Sequence, residues 1–359
     1  MNKKIAIFHD YLNQYGGAER VLEKLLEIFP EAHVYTFVYD AEVLPQFKKH
    51  KVVTSPVQYL PYAKQRYQWY VWLFPIVIKL FNFSRYDVVI VSTHAWGNGI
   101  RKAGARMITY CHTPMRYIWD LYGEYMKNRY ISWWIRCVMP FVRPILQQHD
   151  KRCAKNADVF IANSKEVKQR IHTCYNIEAE VIYPPVNVDF FSDATIDAKD
   201  DYYLVVTRLK PYKRVDLIIE VFNRLQKKLI IVGSGPEEAK LRRMAGDTIS
   251  FHSDVTDEEL RELYQRAQGY VYMANEDFGM SMVEAQAAGT PVIAYRKGGA
   301  CEIVIDGETG VFVEEQTAKA LREALHHAEV TTFERRRMCD HAQQFSQEYF
   351  QNCIQKVVG

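Results

Sequence analysis

The stretch Tyr270-Val271-Tyr272-Met273-Ala274-Asn275-Glu276-Asp277-Phe278-Gly279-Met280-Ser281-Met282-Val283-Glu284 decides how this chain is read. Tyr270–Tyr272 is a short β-rich run, Gly279 permits a tight turn, and a helix is expected from near Met280. Glu276 then lies in the loop and Glu284 about one turn into the helix. A loop carboxylate beside a helix N-terminus can hold sugar hydroxyls, while the free N–H groups of the first turn face phosphate. A second carboxylate one turn along can accept from vicinal ribose hydroxyls. Read alone, both acids are equally well exposed residues at a helix start.

Outward from this unit the same strand–turn–helix alternation runs through the chain. Expected strands are 4–8, 34–37, 88–92, 107–111, 159–162 and 181–183, then 203–207, 229–232, 250–252, 270–272 and 292–295. Amphipathic segments such as 18–28 and 257–267 separate them, which predicts an α/β chain of parallel sheets covered by helices. The continuous apolar run Val88-Val89-Ile90-Val91 implies a strand buried on both faces. Pro184-Pro185 and the polar stretch 192–201 read as a linker, so two domains are expected: 1–195 together with a tail helix 345–359, and 196–344.

The 359 residues suit two domains, and no run approaches the roughly 20 apolar residues of a membrane span. The N-terminal run Ile5-Ala6-Ile7-Phe8 is too short for a signal peptide, so a cytoplasmic protein is expected. Seven cysteines without C-x-x-C pairing read as buried, reduced thiols. The net charge of +3 hides an asymmetry: residues 1–195 hold 25 Lys+Arg against 17 Asp+Glu, and the remainder 21 against 26. Only the front half is expected to meet an anionic surface.

Further motifs sit where strands end. After His9-Asp10, taken as the end of the first strand, Gly16-Gly17-Ala18-Glu19-Arg20 opens a helix and could bring backbone N–H groups to a phosphate; plain chain reversal is the alternative. Arg208 and Lys213 follow the strand 203–207, at the carboxyl edge where open α/β sheets bind ligands, and two fixed cations there could neutralise a diphosphate. A solvated basic loop is the other reading. Gly233-Ser234-Gly235-Pro236 is a second glycine turn after a strand, and Gly289-Thr290-Pro291 and Gly298-Gly299-Ala300 follow the opening stretch.

Together Gly16-Gly17, His112-Thr113-Pro114, Arg208 with Lys213, Gly233-Ser234-Gly235-Pro236, and Glu276 with Glu284 resemble the retaining glycosyltransferases of family four. The resemblance covers essentially the whole chain in the family's order. It implies the GT-B fold, two Rossmann-like domains facing across a deep cleft with the C-terminal helix crossing back to the first. The stretch 111–120, Cys-His-Thr-Pro-Met-Arg-Tyr-Ile-Trp-Asp, is further similar to the branch containing bacterial O-antigen mannosyltransferases.

By that resemblance Arg208 and Lys213 bind the donor diphosphate and stabilise the departing charge, and Gly17 and Gly233 approach the donor through their backbone. Glu276 holds hydroxyls of the transferred sugar, with backbone contacts from Phe278, Gly279 and Met280. Glu284 binds the ribose, Val255 and Asp257 border the base, and His112 sits near the sugar's 6-hydroxyl; His112 alone would read as a core histidine. The implied reaction is metal-independent, retaining transfer of a hexose, mannose from GDP-mannose, to a glycan or lipid-linked saccharide. The nucleotide sugar is a substrate, no cofactor is required, and no carboxylate nucleophile is assigned. Alternatives are a UDP-glucose or other UDP-sugar donor, a sugar-nucleotide epimerase of the same fold, or a non-catalytic GT-B scaffold.

Residues 58–86 carry Lys64, Arg66, Lys79 and Arg85, no acid, and ten aromatics including Trp69 and Trp72. Residues 127–149 repeat the theme with Arg129, Trp133, Trp134, Arg136 and Arg143. Such segments suit the headgroup region of an anionic bilayer, which predicts peripheral contact at the inner face of the cytoplasmic membrane. Packing of these aromatics within the domain is the alternative. The basic residues form no nucleic-acid-binding motif.

Overall fold

The computed structural model describes residues 3–120, 122–127, 133–193 and 199–359. They form two compact units, Met1–Tyr183 with Gln351–Gly359, and Pro184–Phe350.

The first unit is built on seven strands: β1 (Ile5–Leu12), β2 (His33–Tyr39), β3 (Val52–Thr54), β4 (Val88–Thr93), β5 (Arg106–Cys111), β6 (Val159–Ala162) and β7 (Glu180–Val181). All pair in parallel, in the order β3-β2-β1-β4-β5-β6-β7. Every residue of β4 is buried, as expected of a strand covered on both faces. The helix Gly17–Ile28 turns Val21, Leu22, Leu25 and Leu26 inward at helical spacing. Two features depart from the sequence reading. β1 does not stop at His9-Asp10 but runs on to Leu12, because both polar side chains find buried partners. The short edge strand β3 was not anticipated.

The second unit holds β8 (Tyr203–Val206), β9 (Leu229–Val232), β10 (Ile249–His252), β11 (Gly269–Tyr272), β12 (Val292–Tyr295) and β13 (Gly310–Val313). They are parallel in the order β10-β9-β8-β11-β12-β13, with β13 again unforeseen. The helix Val215–Leu225 buries Val215, Leu217, Ile218, Ile219, Val221 and Phe222 in this unit's core. The helix Asp257–Arg266 begins with a capping box between Thr256 and Glu259. In each sheet the strand order reverses once, between β1 and β4 and between β8 and β11, and ligands of open α/β sheets bind at the carboxyl end of such a switch point.

The division falls twelve residues earlier than the expected 195/196 boundary, at Tyr183–Pro184. Val186 is the reason: its N–H donates to Phe345 O (3.0 Å) and its carbonyl accepts from Gln347 N–H (3.1 Å). The helix Val188–Ser192 then packs on the second unit, with Phe191 edge-on to Tyr264 at 5.6 Å. Residues 194–198, at the heart of the expected linker, lie outside the described residues. The last helix spans Gln347–Val358, and Gln351–Gly359 groups with the first unit, where Lys3 Nζ donates to Val358 O at 2.8 Å. The cysteines are unbridged, but only Cys111 and Cys174 are buried; Cys137 and Cys301 are exposed.

Candidate active site

The opening stretch folds as β11, a loop, and the helix Met280–Ala287. Glu276 lies in the loop, and its carboxylate collects three donors: Lys213 Nζ and Tyr212 OH on Oε1, and Tyr272 OH on Oε2. Lys213 Nζ also donates to Tyr272 OH at 3.1 Å. The Lys213 side chain is 9% exposed against 23% for Glu276, so the carboxylate is the more exposed half of the pair. Burial would raise the Glu276 carboxyl, but the Lys213 charge and the three hydrogen bonds hold it below its ordinary value. It therefore stands ionised, an acceptor-only group. Burial beside that charge pushes both tyrosine hydroxyls up.

Glycines hold this loop from below. Gly298 has φ +63° and pairs with Glu276 in an isolated bridge, and Gly299 N–H donates to Glu276 O at 2.9 Å. A Cβ on either would run into the backbone of Glu276 or Phe278. Gly279 (φ +101°) turns the chain into the helix, whose first N–H groups have no intrahelical partner. Gly233 (φ +131°) and Gly235 pack on the carbonyls of Thr207 and Leu209, and Leu209 N–H donates to Ser234 O at 2.9 Å. The Arg208 loop and the Gly233 turn are thus stapled together. Arg208 is half-buried; burial first, then the charges of Arg208 and Lys213, push the neighbouring Lys210 ammonium down.

The remaining residues expected at the donor are placed differently. The Glu284 side chain is 2% exposed and its Oε2 accepts from Tyr264 OH at 3.0 Å, so neither glutamate is a solvated helix-start acid. Phe278 is buried against Phe345, leaving its backbone at the turn. Val255 and Asp257 follow the edge strand β10, with Asp257 exposed in the first turn of its helix. Among the described residues nothing joins them to Glu276 directly; Tyr264 links the helix of Asp257 to that of Glu284. Sequence reading gave Tyr272 and Tyr212 no role. A tyrosine at a strand's carboxyl end, four residues before Glu276, was the available signal.

At the switch point of the first sheet a second buried cluster forms. Asp10 Oδ2 accepts from Thr93 Oγ1 (2.8 Å), His94 N–H (2.7 Å) and Ala95 N–H (3.0 Å), and Oδ1 from Gly97 N–H (3.1 Å). This fixes the loop after β4. His112 follows β5, 8% exposed, with Nε2 at 2.8 Å from Ser92 Oγ. Burial, then the nearby His9 and His94 rings, push the His112 imidazole well below its ordinary value, so it is neutral. Gly17 is the first residue of its helix and exposed, with its N–H free of an intrahelical partner. Among the described residues no three His, Cys, Asp or Glu side chains stand together as a metal-ligand set.

The aromatic segments divide between core and surface. Phe74, Phe81, Phe83 and Tyr86 enter the first unit's core, whereas Tyr59, Tyr62, Trp69 and Trp72 are exposed. Trp133, Phe141 and Ile145 of the helix Trp133–Ala154 are also exposed, and Leu146 of that helix packs on the same core as Val71 and Leu73. Two of the counted cations serve the fold instead. Arg143 donates to the Ile118 and Trp119 carbonyls, and Arg85 to the Tyr35 and Tyr86 hydroxyls. Residues 128–132, with Arg129, and the Trp134 side chain lie outside the described residues. Among the described residues no helix is long and apolar enough to cross a membrane.

Comparison with known proteins agrees with the fold. Residues 15–190 match the family described as Glycosyltransferase Family 4, and residues 188–345 that described as Glycosyl transferases group 1. The chain is 29% identical over 212 residues to the GDP-mannose-dependent alpha-(1-6)-phosphatidylinositol monomannoside mannosyltransferase of Mycolicibacterium smegmatis, covering 51% of this chain and 56% of that one. It is 27% identical to the D-inositol 3-phosphate glycosyltransferase of Mycobacteroides abscessus, over 46% of this chain and 42% of that one. The chain thus spans about half the length of the curated relatives it matches. Two solved structures share the fold over nearly their whole length. They are Anabaena HepE in complex with UDP and glucose (TM-score 0.73, 17% identity, 99% of both chains) and the sucrose-phosphate synthase of Thermosynechococcus elongatus (TM-score 0.77, 18% identity, 99% of this chain and 98% of that one).

Proposed function

The chain belongs to the glycosyltransferases of family 4 and group 1, with the GT-B pair of Rossmann-like units, and from that premise we propose that it transfers a hexose from a nucleotide diphosphate sugar to a glycan or lipid-linked acceptor, with retention of configuration and without a metal. The observation that carries this reading is the Lys213–Glu276–Tyr272–Tyr212 constellation at the carboxyl ends of β8 and β11. Lys213 keeps Glu276 ionised, so the carboxylate accepts hydrogen bonds from hydroxyls of the transferred sugar. Arg208 and Lys213 supply fixed positive charge where the diphosphate departs, the electrostatic term such a reaction needs most. The first N–H groups after Gly279 bind phosphate oxygens. The family resemblance assigns Glu284 to the ribose, Val255 and Asp257 to the base, and His112 to a sugar hydroxyl.

Mannose from GDP-mannose is the donor we infer, since the mycobacterial relative is named for it. A UDP-sugar is the second reading, favoured by the UDP and glucose in the HepE complex. A thermal-shift panel of GDP, UDP and ADP sugars separates them. GDP-mannose giving the largest shift supports the first reading, a UDP-sugar the second, and no shift with any would overturn the donor site.

The first unit's flank of Tyr59, Tyr62, Trp69, Trp72 and Phe141, with exposed Arg66, Lys79 and Arg136, is read as a contact with anionic lipid at the inner face of the cytoplasmic membrane. Pelleting with phosphatidylglycerol vesicles should be lost on replacing those three cations by Gln. Unchanged pelleting would count against the contact.

A further inference from the structure

A buried polar chain joins the Gly16-Gly17 helix start to His112, and apart from His112 its members have no part in the reading above. Glu19 Oε1 lies 3.6 Å from His9 Nε2, His9 Nδ1 lies 3.0 Å from Ser92 Oγ, and Ser92 Oγ lies 2.8 Å from His112 Nε2. His9 and Ser92 are fully buried and Glu19 is 4% exposed. Three elements supply it: Glu19 comes from the helix Gly17–Ile28, His9 and Ser92 face each other across the β1–β4 register, and His112 follows β5. Carboxylate, imidazole and hydroxyl stand in the order of a nucleophilic triad, but a Ser92 with no exposed surface cannot reach a substrate. Its oxygen leads to a second imidazole instead.

We propose that Glu19, His9 and Ser92 are positioning residues that fix the tautomer of His112, holding its proton on Nε2 and leaving Nδ1 a hydrogen-bond acceptor. The direction of every proton follows from one end. The Glu19 carboxylate, 3.6 Å from the nearer His9 nitrogen, Nε2, favours N–H on that nitrogen. With a single proton on its ring, placed at Nε2, His9 is bare at Nδ1 and accepts the Ser92 hydroxyl proton. Ser92 Oγ, having given its proton, can only accept from His112, so His112 carries Nε2–H. A second proton on His9, at Nδ1, would reverse both bonds and turn His112 Nδ1 into a donor.

His112 Nδ1 has no hydrogen-bond partner among the described residues, which leaves it for a substrate hydroxyl. The groups facing the two rings are His94 from the loop after β4 (3.5 Å from Asp10 of β1), Tyr110 from β5, and Glu19 itself. Among them only Glu19 lies at ion-pair distance from His9, and only Ser92 bonds His112 by a side chain.

That His112 meets a sugar rests on the glycosyltransferase reading; the tautomer does not. Nitrogen-15 NMR of histidine-labelled protein, with His112→Gln to assign its signals, reads the tautomer without substrate. The wild type should show His112 protonated at Nε2 and bare at Nδ1, and Glu19→Gln and Ser92→Ala should each shift it toward a mixture. A wild-type Nδ1–H form, or an unchanged tautomer in both variants, would overturn the proposal. Transfer by Glu19→Gln should fall about 10- to 100-fold, the range seen when the partner orienting a metal-bound histidine is lost. A shifted tautomer with undiminished transfer would uphold the chain and count against His112 at the sugar.

Discussion

Replacing Glu276 by Gln keeps the shape of the site and removes its charge, so its cost can be worked from the bonds present. The carboxylate accepts from Lys213, Tyr272 and Tyr212, and the Lys213 side chain beside it is only 9% exposed. In the amide one oxygen can still face Lys213. The other position becomes NH2 and must face Tyr272, whose hydroxyl already receives Lys213 at 3.1 Å. Charge assistance is lost at Lys213 and a donor meets a crowded hydroxyl, which costs about 2–3 kcal/mol. At roughly 2–4 °C per kcal/mol for a unit of this size, the melting temperature should fall about 4–12 °C. If the carboxylate also holds the transferred sugar, transfer should drop roughly 30- to 150-fold for the same energy. Melting by circular dichroism and initial rates on the preferred donor provide both numbers. Wild-type melting together with wild-type transfer would refute the reasoning. Ala at this position is a poorer test, because it leaves the Lys213 ammonium without its partner and endangers the fold.

Asp150, buried with its Oδ2 accepting from Trp119 Nε1 (2.9 Å) and Tyr175 OH (2.8 Å), is pushed up by desolvation to about 6 from an ordinary 3.8. Its folded form therefore binds more protons than its unfolded form between those values, and stability falls as pH rises from about 4 to 6, by about 2–3 kcal/mol. Denaturant melts from pH 4 to 8 should show this loss in the wild type relative to Asp150→Asn; parallel curves would refute it. Gly298→Ala should place a Cβ against the Glu276 carbonyl at a φ of +63°, destabilising the second unit by about 1–3 kcal/mol and weakening donor binding. Unchanged melting and affinity would mean that the loop has slack that its contacts do not suggest.

Most strands of both sheets were legible because each is a continuous apolar run between turn residues, as in Val88–Val91 and Leu229–Val232. Val52–Thr54 and Gly310–Val313, each at the end of a sheet, were missed. The end of β1 was misjudged as well. His9 and Asp10 look like solvent-facing residues until Ser92 and the 93–97 backbone supply their bonds from some 80 residues away. The boundary slipped likewise, since the pairing of Val186 with Phe345 and Gln347 leaves no local mark. Glu276, Lys213 and the glycine turns were readable as a set, but Tyr272 and Tyr212 acquire their meaning only by converging on one carboxylate. Glu19 was quoted only as part of a helix start, and its tie to His9 needed the strand register.

The central claim is that the second unit binds a nucleotide sugar with Lys213 among its ligands. Calorimetric titration of GDP-mannose into the wild type and into Lys213→Met tests it most directly. Saturable one-site binding to the wild type is expected, weakened at least about tenfold in the variant by loss of a charge-assisted contact. Equal affinity in the two chains, or no binding of any GDP, UDP or ADP sugar to the wild type, would contradict it.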